Sequence, residues 1–165
     1  MKKIGKILAL ALCGCMMLAM FAGCGDKEEQ TTIDLGAAKE KIAALTYQGE
    51  EGEEKLMGEL DEPSEKVLSS MYSIQTGDLQ EYAIAFSDEG MYMILLPAEG
   101  KENDVKNGAA QAIDVYGKQF EMYFPEKYDM VQKRKETIKG NYLIYIASRD
   151  NDAVMAAIDE ATTTK

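Results

Sequence analysis

Histidine and tryptophan are absent from this 165-residue chain, and all three cysteines (Cys13, Cys15 and Cys24) fall within the first 24 residues. Without histidine there is no Ser-His-Asp or Cys-His catalysis and no usual zinc site. Beyond Cys24 no free thiol is left for a disulfide or a nucleophile, which leaves Ser, Thr, Lys, Tyr or a carboxylate for that role. A Ser-Lys pair would draw on Ser69, Ser70 or Ser73, but no S-x-x-K occurs, and Ser64-Glu65-Lys66 has the wrong spacing. No glycine-rich phosphate cradle is present. The 29 acidic residues offer carboxylates for glycoside hydrolysis, yet the tryptophan platform that often accompanies such sites is missing. The expectation is therefore a non-enzymatic protein with no catalytic residues, no metal site and no cofactor.

Positive charge is also scarce. There are 18 cations against 29 anions, a net charge of −11, and Lys2, Lys3 and Lys6 lie in the leader, so −14 remains without them. A chain this acidic has no footprint for nucleic acid, and it should stand off anionic lipid headgroups.

The first 24 residues are the clearest signal. Lys2, Lys3 and Lys6 form a basic start, Ile7 to Met20 an apolar core, and Phe21-Ala22-Gly23-Cys24 a small-residue exit. This is the layout of a secretory signal peptide. The closing four residues resemble the lipobox of bacterial lipoproteins, with Phe21 where leucine is preferred. That resemblance implies cleavage after residue 23 and a diacylglycerol on the Cys24 sulfur. A membrane-spanning anchor needs about 20 apolar residues and a stop-transfer flank, which this stretch lacks; plain secretion would use Ala19 and Ala22 as the small residues of its site. Residues 1–23 are thus expected to be a leader, residues 24–33 a lipidated N-terminus and tether, and residues 34–165 one domain. Two or more acyl chains hold a protein stably at a bilayer, whereas one holds it marginally.

Within the domain, Asp34 reads as a helix N-cap ahead of Leu35, Ala38, Ile42 and Leu45. Pro63 is expected in the first turn of a second helix carrying Val67, Leu68 and Met71. Two strands follow, LQEYAIAFS and MYMILLP, joined by a Ser87-Asp88-Glu89-Gly90 turn in which Gly90 is free to take positive φ. The second is apolar almost throughout, which places it inside the sheet. A long helix is predicted from Asn103 to Tyr123, buried along Val105, Ala109, Ala112, Ile113, Tyr116, Phe120 and Tyr123 and closed by Pro125. A strand near Met130 to Ile138, a Lys139-Gly140-Asn141 turn, the strand YLIYIAS and a helix capped by Asp150 or Asn151 complete the chain. Two ββα units on an antiparallel sheet of about four strands, with helices packed on it and one or two N-terminal helices, make an α+β fold.

The succession KVLSSMYSI, EYAIAFS, the helix after Glu102, PEKYDMVQ and KGNYLIYIAS followed by Arg149-Asp150 resembles the DUF4358 family, small lipoproteins of Clostridia and related Firmicutes. The resemblance implies the outer face of the cytoplasmic membrane of a Gram-positive cell. It carries no assigned catalytic or binding residue.

Three further features bear on binding. Lys133, Arg134, Lys135 and Lys139 form the densest basic cluster. On a strand, Lys133 and Lys135 would share a face, either to dock an anionic wall polymer or headgroup, or to protect a sheet edge from pairing; edge protection is preferred. Glu50, Glu51, Glu53 and Glu54 suggest a calcium loop, but the spacing fits no EF-hand, so a solvated acidic loop is expected. Met91 and Met93 on one strand face suit a soft metal, but suit core packing better. A non-enzymatic interaction or accessory module at the envelope is the leading expectation, its partner, an envelope protein or a wall polymer, being left open by the sequence. A small-ligand or wall-polymer binder is second and an envelope enzyme third.

Overall fold

Near-continuous apolar runs dominate the second half of the chain, and a strand buries such a run only when both of its faces are covered. The computed structural model describes residues 31–49 and 52–164 and shows that arrangement. The leader residues Phe21, Ala22, Gly23 and Cys24 and the loop acids Glu50 and Glu51 lie outside the described residues. The elements run β1 (Thr31–Ile33), α1 (Leu35–Ala43), β2 (Thr46–Gln48), β3 (Glu53–Lys55) and α2 (Glu65–Met71). After a 3-10 turn at Thr76–Asp78 come β4 (Leu79–Phe86), β5 (Met91–Pro97), α3 (Glu102–Lys118) and α4 (Pro125–Gln132). Finally come β6 (Lys135–Lys139), β7 (Tyr142–Ala147), α5 (Asn151–Glu160) and β8 (Thr162–Thr164).

The main sheet has four antiparallel strands in the order β4-β5-β7-β6, so the apolar strands β5 and β7 are central. Alternation along β5 assigns its two faces. Met91, Met93 and Leu95 pack with Val105, Ala109, Tyr116 and Val131 of α3 and α4. Tyr92 and Ile94 pack with Ile42 of α1 and with Val154 and Ile158 of α5. The fold is α+β, with a three-layer arrangement in which helices cover both faces of the antiparallel sheet. Met91 and Met93 are completely buried in the first of these cores.

Local chemistry explains the helix ends. Asp34 caps α1 by accepting from the Ala37 amide at 3.0 Å, and Asp150 caps α5 by accepting from Ala153 at 2.9 Å. Pro63 precedes the first turn of α2 instead of lying in it, because Ser64 is the N-cap. In α2 Leu68 is buried, while Met71 is exposed. Gly108 is the point of closest approach between α3 and the segment after α2, since a Cβ there would lie 2.9 Å from the Ser73 carbonyl.

Several expected boundaries move. Thr31–Ile33, ahead of Asp34 and expected in the tether, pairs antiparallel with Thr162–Thr164, and Ile33 is 2% exposed. Of the acidic stretch, Glu53 and Glu54 belong to β3, which pairs antiparallel with β2 and leads Leu56 and Met57 into the core. The long helix stops at Lys118, and Pro125 opens α4 instead of closing α3. Proline suits a first helical position because the amide it lacks has no intrahelical partner there. Tyr123 consequently leaves the expected buried stripe for a surface turn. The strand expected from Met130 starts at Lys135; PEKYDMVQ is helical, burying Val131 against α3. Gly90 is not in a positive-φ conformation. It is small because a Cβ there would stand 2.7 Å from the Ala147 carbonyl.

Candidate functional site

The β4–β5 turn sits where the C-terminal end of α3, the start of α4, the end of β7 and the N-terminal hairpin converge. Ser87 organises it. Its hydroxyl donates to the Met57 carbonyl and accepts from the amides of Glu89 and Gly90 at 3.0 and 3.1 Å. From below, the Tyr116 hydroxyl donates to the Ser87 carbonyl at 2.8 Å. Burial pushes the Tyr116 phenol up, with Asp88 and Glu89 adding to the effect, so it stays a neutral donor.

Glu89 projects from this turn between two cations. Lys127 Nζ of α4 lies 2.9 Å from one carboxylate oxygen and Arg149 Nη2 lies 3.2 Å from the other. Burial alone would raise the Glu89 carboxyl, but the hydrogen bonds from Lys127 and Arg149 outweigh it and hold the group below the usual glutamate range. Arg149 also lies over the Tyr47 ring of β2, 5.0 Å from its centroid, and the Tyr47 hydroxyl donates to Glu54 at 2.7 Å. That hydrogen bond raises the Tyr47 phenol. Glu89 thereby ties α4 and the end of β7 to the β4–β5 turn, and Arg149 extends the link to β2.

Beside this network the chain exposes apolar surface. Met122, Tyr123 and Phe124, in the turn between α3 and α4, are 82%, 77% and 53% exposed. The turn is held from within by an aromatic series. Tyr72 stacks on Phe86 at 4.5 Å, Phe86 meets Tyr116 at 5.6 Å, Tyr116 meets Phe120 at 5.1 Å, and Phe120 meets Phe124 at 6.4 Å. Lys127 Nζ lies 5.6 Å from the Phe124 ring and 5.9 Å from that of Phe120, within cation–π range. Lys127 thus joins the exposed turn to Glu89.

The basic cluster picked out in the sequence is arranged differently from a single strand face. Lys133 caps the C-terminal end of α4, Arg134 lies between elements, and only Lys135 and Lys139 belong to β6. Each meets a carboxylate: Lys133 with Asp129, Arg134 with Glu136, Lys135 with Asp152 and Lys139 with Asp159. β6 is an edge strand, the position where lysines guard against strand addition. Glu53 and Glu54 of the acidic stretch accept from Thr46 and Tyr47. Among the described residues no group of three or more acidic, histidine or cysteine side chains could hold a metal ion, and no helix is long and apolar enough to cross a membrane. A cleft of about 470 Å³ lies at the other end of the sheet, where it is bordered by Gln80, Glu99, Asn103 and Asn141.

A family model described as a domain of unknown function, DUF4358, matches residues 53–148. The chain belongs to the DUF4358 family. The matched DUF4358 segment holds the whole four-stranded sheet together with α2, α3, α4, Glu89, Lys127 and the Met122–Phe124 turn. Tyr47 and Arg149, which complete the network around Glu89, fall just outside it. No curated protein and no solved structure matches the chain.

In the sequence Glu89 stands out only as a turn residue and Arg149 only within the family resemblance. A signal for their pairing was absent, because 60 positions separate them. Pro125-Glu126, a helix-start signature, could have revealed that Tyr123 lies in a turn.

Proposed function

We propose that this DUF4358 protein is a lipoprotein held by Cys24 at the outer face of the cytoplasmic membrane of a Gram-positive cell, where its domain serves as a non-enzymatic interaction module. The observation that carries the interaction reading is the Met122-Tyr123-Phe124 turn. Three consecutive large apolar side chains face solvent on a strongly acidic domain, and interface cores are enriched in such aromatic and methionine residues. The turn is braced by the Phe120 ring and by Lys127, so presenting it entails little loss of conformational freedom on binding. The neighbouring charged groups support a structural role, because Lys127 and Arg149 each hydrogen-bond the Glu89 carboxylate and so tie α4 and the end of β7 to the β4–β5 turn.

The anchor reading rests on the leader and is tested by fractionating cells that express the wild type or Cys24→Ala. The wild type should partition with membranes and carry a diacylglycerol mass increment. The variant should lack that increment and lose tight membrane retention without unfolding. A wild type recovered unmodified from the medium overturns the anchor.

A further inference from the structure

We propose that the Glu121–Glu126 turn docks into an apolar groove rimmed by Lys or Arg on a second envelope protein, and that it does so on the side of the domain turned away from the membrane. The proposal rests on the lipid-anchored reading and adds the chemistry and direction of the partner.

Direction follows from the fold. Thr31, the first described residue, lies against Gly140 in the β6–β7 turn, so close that a Cβ on that glycine would stand 2.5 Å from the Thr31 Cβ. The β6–β7 turn is at the end of the sheet marked by Leu79, Pro97 and Tyr142, whereas Phe86, Met91 and Ala147 mark the end that carries Glu89 and Arg149. Helix α3 starts near the first end and finishes at the second. Its 17 residues span about 25 Å at 1.5 Å each. The seven steps from Cys24 to Thr31 reach about 25 Å when fully stretched. Bringing the turn to the headgroups would therefore consume the whole tether, while pointing it outward consumes none.

Charge decides between partners. The exposed apolar residues are bracketed by Glu121 and Glu126, both exposed. The nearby cations are already engaged, Lys118 with Asp114 and Lys127 with Glu89. An anionic bilayer is repelled by this bracket, and so is a second copy of the same turn. A basic-rimmed apolar groove is complementary to it.

The test places a benzoylphenylalanine photo-crosslinker at position 123, or at position 141 as a control, in the full-length chain in intact Gram-positive cells. The expected result is a protein adduct from position 123 and none from 141. Its crosslinked peptide should contain apolar residues flanked by Lys or Arg. Glu121→Lys with Glu126→Lys should cut the yield at least about fivefold, while circular dichroism of the purified variant stays unchanged. A lipid adduct, a dimer of the chain itself, a peptide without basic residues, no adduct, or a yield indifferent to the charge reversal overturns the docking proposal. Fractionation of the same cells reads the anchor separately. Chain found unlipidated in the medium overturns the anchor and the outward direction, whereas the charge-dependent adduct at 123 is still scored for the partner.

Discussion

The two ends of the sheet are built from similar materials and used differently. At the β6–β7 end, the chain termini pair through β1 and β8, and lysines meet acids across the surface, as in Lys139 with Asp159 and Lys41 with Glu160. At the β4–β5 end, one half-buried carboxylate holds two cations, an aromatic series runs out from the core, and apolar side chains end in solvent. Distributed surface pairs stabilise weakly and independently. Groups that share buried partners act together. The β4–β5 end should therefore be the more sensitive to single substitutions, even though it also carries the most dispensable residues for stability.

The largest break in this contrast should come from Tyr116→Ala, which deletes a fully buried ring and the donor to Ser87. About 3–5 kcal/mol of stability should be lost in urea melts, whereas Tyr116→Phe should lose about 1 kcal/mol. A loss below 1 kcal/mol for the alanine variant would show that the turn holds without it. Next comes Gly90→Ala, whose new methyl would press on the Ala147 carbonyl and Met57. About 1–3 kcal/mol is expected, read as a lower thermal midpoint.

Glu89→Gln should have a smaller effect, roughly 1 kcal/mol near neutrality for two partly exposed ion pairs, and it should change the pH profile. The Glu89 carboxyl titrates below its unfolded value. Its contribution is present above the ordinary glutamate pKa and disappears as pH falls through the lower folded value. Wild-type and variant stabilities should consequently converge on acidification below about pH 4. A constant gap down to pH 2 would assign the loss to packing. The smallest effect belongs to Lys135→Ala, whose partner Asp152 is largely exposed; less than about 0.5 kcal/mol is expected. Tyr123→Ser should match it in stability while removing the apolar surface that the docking proposal requires.

How much could be read in advance follows from the range of each interaction. The caps at Asp34 and Asp150, the buried strand MYMILLP and the Lys139-Gly140-Asn141 turn depend on neighbours a few positions away, and their residue types announce them. From Phe120 to Lys135 the structure departs from the sequence expectation because two local signals compete there. Tyr116, Phe120 and Tyr123 extend a helical stripe, and the stretch from Met130 to Ile138 leads straight into a hairpin turn as a strand would; Pro125 and the packing of Val131 on Gly117 decide for a second helix. The basic cluster has the same origin: in sequence, Lys133, Arg134, Lys135 and Lys139 form a concentrated positive charge. Lys133 and Arg134 meet the nearby acids Asp129 and Glu136, while Lys135 and Lys139 meet Asp152 and Asp159 of α5, brought alongside only by folding.

By itself the amino-acid order determined the α+β class, the central apolar strands, the acidic surface and the lipobox-like leader, because composition, periodicity and short spacings carry that information. Tertiary structure alone decided that Glu89 meets Lys127 and Arg149, that Tyr116 supports the Ser87 turn, and that Met122, Tyr123 and Phe124 face solvent at the end of the sheet opposite Thr31. Those outcomes depend on which distant segments share a face of the sheet, and no local periodicity encodes that pairing.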